Sequence, residues 1–302
     1  MTRLTRSMLF VPAARWNMIE KAAASGAPSG PDAVCLDLED AVPPDEKASA
    51  RANIVRAFQT LDFGHRLRMF RINGLETPFT YRDLIDVVEP AGAHIDLVML
   101  PKAARASDVT FVETLLRQIG AGHIGIEAQI ETAAGFLYAR EIAESSPRLE
   151  ALIFGPGDYS ASMQMPSASI GEADAHDALY PGHRWHAVMH NIVAAARANG
   201  LRAMDGPYAA FRDAAGFERS CRLARAMGFD GKQCIHPCQI ETANAVFGPT
   251  AEEVAHAQRV VAAYNAAVTE GRGAVSLDGR MIDAANIRMA EVILERATKI
   301  GR

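Results

Sequence analysis

The feature that most constrains this chain is an alternation of short apolar runs with runs of helical spacing, repeated eight times in about 245 residues. Strand-like runs fall at residues 7–12, 33–40, 66–73, 95–102, 126–132, 149–154, 202–204 and 231–237. Helical runs at 15–24, 45–58, 108–119, 133–144, 184–199 and 214–227 separate them, with Ser107 as the expected N-cap of the third and Gly120 closing it. Eight β-then-α units of this size predict an α/β fold, a TIM (β/α)8 barrel; a doubly wound open sheet is the alternative. Residues 160–182, rich in Ser, Ala, Gly and Asp, form the longest irregular segment, of the kind used as a lid or binding loop.

The end of the chain does not fit the repeat. A helix to about residue 268 precedes Gly271-Arg272-Gly273, and a last helix spans 282–297. Val254, Ala257, Val260, Val261 and Tyr264 recur at helical spacing, so this tail packs on the barrel or on a neighbouring copy. The expected division is a catalytic barrel at 1–248 and a helical lid or oligomerisation extension at 249–302.

Composition narrows the function classes. With 49% hydrophobic and 22% charged residues the chain is globular, and a formal charge of -5 gives no basic footprint for nucleic acid or an anionic membrane. No apolar run approaches the roughly 20 residues of a membrane span, and residues 1–6 lack the apolar segment of a secretion signal, so a cytoplasmic location is expected. The four cysteines, at 35, 221, 234 and 238, have no zinc or redox spacing and read as reduced core residues.

In a barrel the chemistry sits where strands end. Residues 126–132 alternate, with Ile126, Ala128 and Ile130 on one face and Glu127, Gln129 and Glu131 on the other. Glu127 and Glu131 are about 13 Å apart on a strand, so only Glu131 reaches the rim and Glu127 belongs to an internal network. Asp158, in the turn Gly155-Pro156-Gly157-Asp158, ends the next strand. Two adjacent carboxylates need a cation or a proton between them. Magnesium suits them best, with manganese as a substitute, because it takes few protein oxygens; a protonated or salt-bridged carboxylate is the alternative.

Arg71, ending the third strand, can clamp a carboxylate or enolate oxygen, or pair with Glu39 or Asp40 at the end of the second. These three are the expected catalytic rim. Lys102 ends the fourth strand, and carboxylates beside it would keep it charged, favouring an ion-pair or phosphate contact over a Schiff base. His183, His186 and His190 have a zinc-like spacing but no carboxylate or cysteine completes a site, so they read as helix surface.

Eight segments in order carry a resemblance. They are Arg6-Ser7-Met8-Leu9-Phe10-Val11-Pro12, Leu36-Asp37-Leu38-Glu39-Asp40-Ala41-Val42, Arg71-Ile72-Asn73-Gly74-Leu75, Gln129-Ile130-Glu131-Thr132, Phe154-Gly155-Pro156-Gly157-Asp158, Asp205-Gly206-Pro207, Gly231-Lys232-Gln233-Cys234-Ile235-His236-Pro237 and the stretch from Gly273 to Asp283. Together they resemble the HpcH/HpaI aldolase and citrate lyase β-subunit-like family of CoA-ester lyases, and most nearly its malyl-CoA lyases. The resemblance implies a TIM barrel with a C-terminal lid, magnesium at Glu131 and Asp158, a substrate clamp at Arg71, and Asp283 of a neighbouring subunit as acid/base at the thioester α-carbon. It implies a homo-oligomer, trimer or hexamer, acting on a CoA thioester. Arg6 and Arg15, read as lying near the end of the first strand, are candidate contacts for the CoA phosphates, with ordinary surface charge as the alternative, and Lys102 is a further candidate CoA contact. The implied reaction is cleavage of malyl-CoA, methylmalyl-CoA or citramalyl-CoA to a 2-oxo acid and acetyl-CoA or propionyl-CoA. A malyl-CoA thioesterase and a complex-dependent citrate lyase β-like subunit are the alternatives.

Overall fold

The structure is a computed structural model; it describes residues 3–25, 30–167, 169–177, 179 and 184–301. Eight parallel strands close into a barrel in sequence order: β1 (Ser7–Pro12), β2 (Ala33–Asp37), β3 (Leu67–Arg71), β4 (Leu97–Leu100), β5 (Gly125–Ile130), β6 (Leu149–Phe154), β7 (Arg202–Asp205) and β8 (Gly231–Cys234). The expected TIM-type barrel is therefore the observed fold. Strands buried on both faces read as near-continuous apolar runs except where a polar group finds a partner, and β4, Leu-Val-Met-Leu, is apolar and buried at every position.

Helices follow each strand: α1 (Trp16–Ala24), α2 (Lys47–Thr60), α3 (Thr80–Ala91), α4 (Ala106–Gln118), α5 (Ala133–Leu137), α6 (Ala139–Ala143), α7 (Pro156–Ser162), α8 (His186–Ala198), α9 (Ala214–Met227) and α10 (Ile240–Phe247). Thr132 caps α5 by accepting from the Gly135 N–H at 2.9 Å, and Asp213 caps α9 from Gly216 at the same distance. Four details depart from the sequence reading. Helix α3, with Pro90 in its last turn, did not stand out as a helical run. The N-cap of α4 is Arg105 and not Ser107, because the Asp108 carboxylate reaches back to the Ala104 and Arg105 N–H groups at 2.8 and 2.9 Å. The run 133–144 is broken at Tyr138 into two short helices. Cys238 is exposed, whereas Cys35, Cys221 and Cys234 are buried thiols as expected.

Period-two alternation decides what fills the barrel. Met8, Ala33, Cys35, Met69, Leu97, Met99, Ala151, Ile153 and Met204 form one buried cluster inside it. Level with Met99 and Ala151 in the barrel register, Glu127 accepts from Arg202 Nη2 at 2.7 Å, and Arg202 also bonds Thr5. Both residues are almost fully buried, so each charge depends on the other.

The chain divides into two compact units, Met1–Asn244 and Ala245–Arg302. The second holds α11 (Ala251–Thr269), the antiparallel strands β9 (Val275–Leu277) and β10 (Arg280–Ile282), and α12 (Ala284–Lys299). Asp278 and Gly279 both take positive φ, 52° and 75°, as a two-residue hairpin turn requires. Ala257, Val260, Ile282 and Ala290 form the buried centre of this unit. Among the described residues no helix is long and apolar enough to cross a membrane.

Candidate active site

At the carboxyl ends of the strands lies a cavity of about 390 Å³ whose lining includes Phe10, Asp37, Asp40, Arg71, Gln129, Glu131, Gly155, Asp158, Ile170 and Gln233. Its polar side is organised by Arg71. The β2–β3 register sets Asp37 opposite Arg71, and the pair is bidentate, Nε to Oδ1 and Nη2 to Oδ2, both at 2.7 Å. The third edge, Nη1, lies 2.7 Å from Glu39 Oε2. That contact is an ion pair without hydrogen-bond alignment, so the buried Oε2 retains unused acceptor capacity. The sequence reading named Glu39 or Asp40 as the partner; Glu39 is one, but the clamp itself is Asp37. Burial works against charge in both members, yet the pairing wins: Asp37 is held below the usual carboxylate range and Arg71 well above its own.

Strand β2 stops at Asp37 because the chain beyond it is held from another direction. The Lys47 ammonium bonds the carbonyls of Leu38 and Glu39 at 2.6 and 2.8 Å and Asn73 Oδ1 at 2.6 Å. Asn73 in turn donates to Asp83. Lys47 thus fixes the segment that carries Glu39 and Asp40, a role the sequence reading missed; its only signal was a lysine eight residues beyond an acidic strand end.

Lys102 follows β4 with φ of 51°, a strained value for a lysine. Its backbone N–H donates to Glu131 Oε1 at 2.8 Å. Its ammonium bonds Glu39 and lies 3.7 Å from Asp40 and 3.6 Å from Asp158. Although burial opposes the charge, Glu39 and its neighbours hold the ammonium above its ordinary pKa. Such an amine is no nucleophile, which removes the Schiff-base role.

Glu131 is 1% exposed. Burial, then the Glu39 carboxylate, push its carboxyl up to about 8, against the opposing pull of Arg71. A Cβ on Gly155 would overlap this carboxylate, so glycine is what lets β6 pass so close. Asp158 lies in the first turn of α7, which Pro156 starts.

The remaining candidates lie elsewhere. Arg6 precedes β1, so it stands at the amino end of that strand and not at its carboxyl end as expected; its guanidinium is bound to Asp32 at 2.9 and 2.7 Å. Arg15 does follow β1, is exposed, and pairs with Glu46 at 2.9 Å. Asp283 belongs to the second unit, where it caps α12 through the Ala285 N–H at 2.9 Å. The His186 and His190 rings lie 4.6 Å apart, tilted by 42°, on an exposed helix face, and His183 lies outside the described residues.

The donor set fits a hard divalent cation. Five carboxyl groups (Asp37, Glu39, Asp40, Glu131, Asp158) meet two cations, Arg71 and Lys102, and burial, with the Glu39 carboxylate second, pushes the Glu131 carboxyl up to about 8. Among the described residues no three His, Cys, Asp or Glu side chains form a complete metal cage. Magnesium needs none, since it binds through one or two carboxylates and keeps its waters.

Fold and site together define a (β/α)8 barrel with an acidic, cation-seeking mouth and an arginine clamp. The chain belongs to the HpcH/HpaI aldolase/citrate lyase family, whose pattern it matches over residues 6–237. It is 42% identical to the L-malyl-CoA/β-methylmalyl-CoA lyase of Cereibacter sphaeroides over 99% of this chain and 96% of that protein. It is 37% identical to a (3S)-malyl-CoA thioesterase from the same species, over 98% of this chain and 95% of the other. The crystal structure of CitE from Mycobacterium tuberculosis in complex with magnesium, acetoacetate and coenzyme A superposes with a TM-score of 0.76 at 32% identity, covering 97% of each chain. The family resemblance read from the motifs is borne out.

Proposed function

We propose that this protein is a magnesium-dependent CoA-ester lyase that cleaves a malyl-CoA-type 3-hydroxyacyl thioester to a 2-oxo acid and acetyl-CoA or propionyl-CoA. The observation that carries the reading is the convergence of Glu131 and Asp158 beside Arg71, with the Glu131 carboxyl pushed up to about 8 by burial and by Glu39. The similarity to a malyl-CoA/β-methylmalyl-CoA lyase favours cleavage over hydrolysis, because identity to the thioesterase is lower, 37% against 42%.

Glu131 and Asp158 would hold the metal, which supplies Lewis-acid stabilisation of negative charge on substrate oxygens. Arg71, locked by Asp37, neutralises charge on the oxo-acid side without having to reorganise. Lys102 keeps Glu131 in place through its backbone N–H, and its ammonium stays fixed on Glu39. The 3-hydroxyl proton passes to solvent, the oxygen closes to the carbonyl of the 2-oxo acid as the C2–C3 bond breaks, and the electron pair of that bond leaves as the thioester enolate. Asp283 of a neighbouring subunit then protonates the α-carbon. Arg15 remains a candidate contact for CoA phosphates; the commitment of Arg6 to Asp32 makes it a poor one.

This reading carries a cytoplasmic homo-oligomer whose second unit reaches a neighbour. Exposed Met281, Met289 and Val292 on that unit favour a partner surface. The test is turnover of malyl-CoA by the purified chain alone, stopped by EDTA and restored by magnesium. Undiminished turnover in EDTA removes the metal, and no turnover without added proteins points to a complex-dependent subunit.

A further inference from the structure

One polar side chain at the mouth is used by neither the packing nor the metal chemistry. Gln233, on β8, is 2% exposed and lines the same cavity as Arg71 and Glu131. Its amide nitrogen Nε2 is buried with no hydrogen-bond partner. The residue opposite it on β1 is Met8, and the inward side chain of β7 is Met204; neither offers an oxygen. A buried N–H that has lost water and gained no acceptor destabilises the fold, and such groups are rare in folded chains. Gln129 also carries an unpartnered buried amide oxygen, but it stands two residues from Glu131 on the metal-bearing wall. Gln233 stands apart, three strands round the barrel from β5.

The geometry points to Gln233 as a substrate-binding, specificity-determining residue: its side-chain amide donates a hydrogen bond to a carbonyl oxygen of the bound acyl ligand. The inference rests on the lyase reading above. The missing partner of a donor is an oxygen acceptor, and among the described residues no protein group within hydrogen-bond reach of Gln233 Nε2 supplies one. The substrate's thioester and the 2-oxo acid product each present a carbonyl, and the same contact serves either.

Gln233→Met removes the amide at nearly constant volume, and Gln233→Glu keeps the shape while replacing the donor with an acceptor. Thermal unfolding of each variant is followed alone, with glyoxylate plus magnesium, and with acetyl-CoA; kcat/KM is measured on malyl-CoA. The expected Met variant melts at or above the wild-type temperature, because an unsatisfied buried donor is gone, while kcat/KM falls about 10- to 100-fold. The Glu variant loses at least as much. Loss of the glyoxylate-induced shift assigns the contact to the oxo acid, and loss of the acetyl-CoA shift assigns it to the thioester. Wild-type kcat/KM with both shifts intact in either folded variant overturns the inference, as does a lowered melting temperature with unchanged kinetics, the mark of a structural amide. A wild-type protein that turns over no 3-hydroxyacyl-CoA ester defeats the lyase reading as well.

Discussion

Magnesium binding should depend steeply on pH, through Glu131. Its carboxyl is displaced from 4.5 to about 8 by burial and by Glu39, equivalent to about 5 kcal/mol against the ionised form. The folded state therefore binds this proton more tightly than the unfolded chain. The stability it contributes is complete below pH 4.5, declines as pH rises through about 8, and is flat beyond. A metal ligated by Glu131 must displace that proton. At pH 7 about one carboxyl in ten is ionised and at pH 6 about one in a hundred, so the apparent Kd rises about tenfold per pH unit below 8. Calorimetric titration with magnesium at pH 6, 7, 8 and 9, in buffers of differing ionisation enthalpy, measures both quantities. About one proton is released per ion at pH 6 and almost none at pH 9. The thermal stabilisation given by saturating magnesium grows over the same range. Equal affinity at pH 6 and pH 8, without proton release, would refute the reasoning.

Gly155→Ala places a methyl against the Glu131 carboxylate, so magnesium affinity should fall at least tenfold by the same titration, while circular dichroism still reports the barrel. Arg202→Met leaves Glu127 buried without its partner at the far end of the barrel; denaturant unfolding should show a loss of about 3–5 kcal/mol, with magnesium affinity unchanged in the folded protein. Asp283→Asn separates chemistry from capping, because asparagine caps a helix as well as aspartate: the melting temperature should hold while turnover drops at least a hundredfold. Asp283→Ala should lose about 1 kcal/mol of stability in addition.

Much of this site is written in short-range pattern. The alternation in β5 sends Glu127, Gln129 and Glu131 inward whatever the rest of the chain does, and strand-to-helix order alone puts Glu131 and Asp158 on neighbouring strand ends. What the sequence hides is register and reach. Asp37 is the partner of Arg71 because β2 and β3 pair in that register, and nothing local distinguishes it from Glu39 or Asp40. Arg6 was grouped with Arg15 near the carboxyl end of β1, although it precedes the first residue of that strand, Ser7. Lys47 acts through its long side chain on backbone carbonyls, and Lys102 acts on Glu131 through a backbone N–H presented at positive φ. Neither contact leaves a periodic trace. The β9–β10 hairpin was missed although Asp278-Gly279 is a strong turn signal, since its strands are only three residues long.

The central claim is that this mouth breaks a carbon–carbon bond, and product identity tests it most directly. With magnesium and malyl-CoA, the purified protein should form glyoxylate and acetyl-CoA in equal amounts as the substrate disappears, and Asp158→Asn should form neither. Free CoA and malate with no glyoxylate would contradict the account and make the protein a thioesterase.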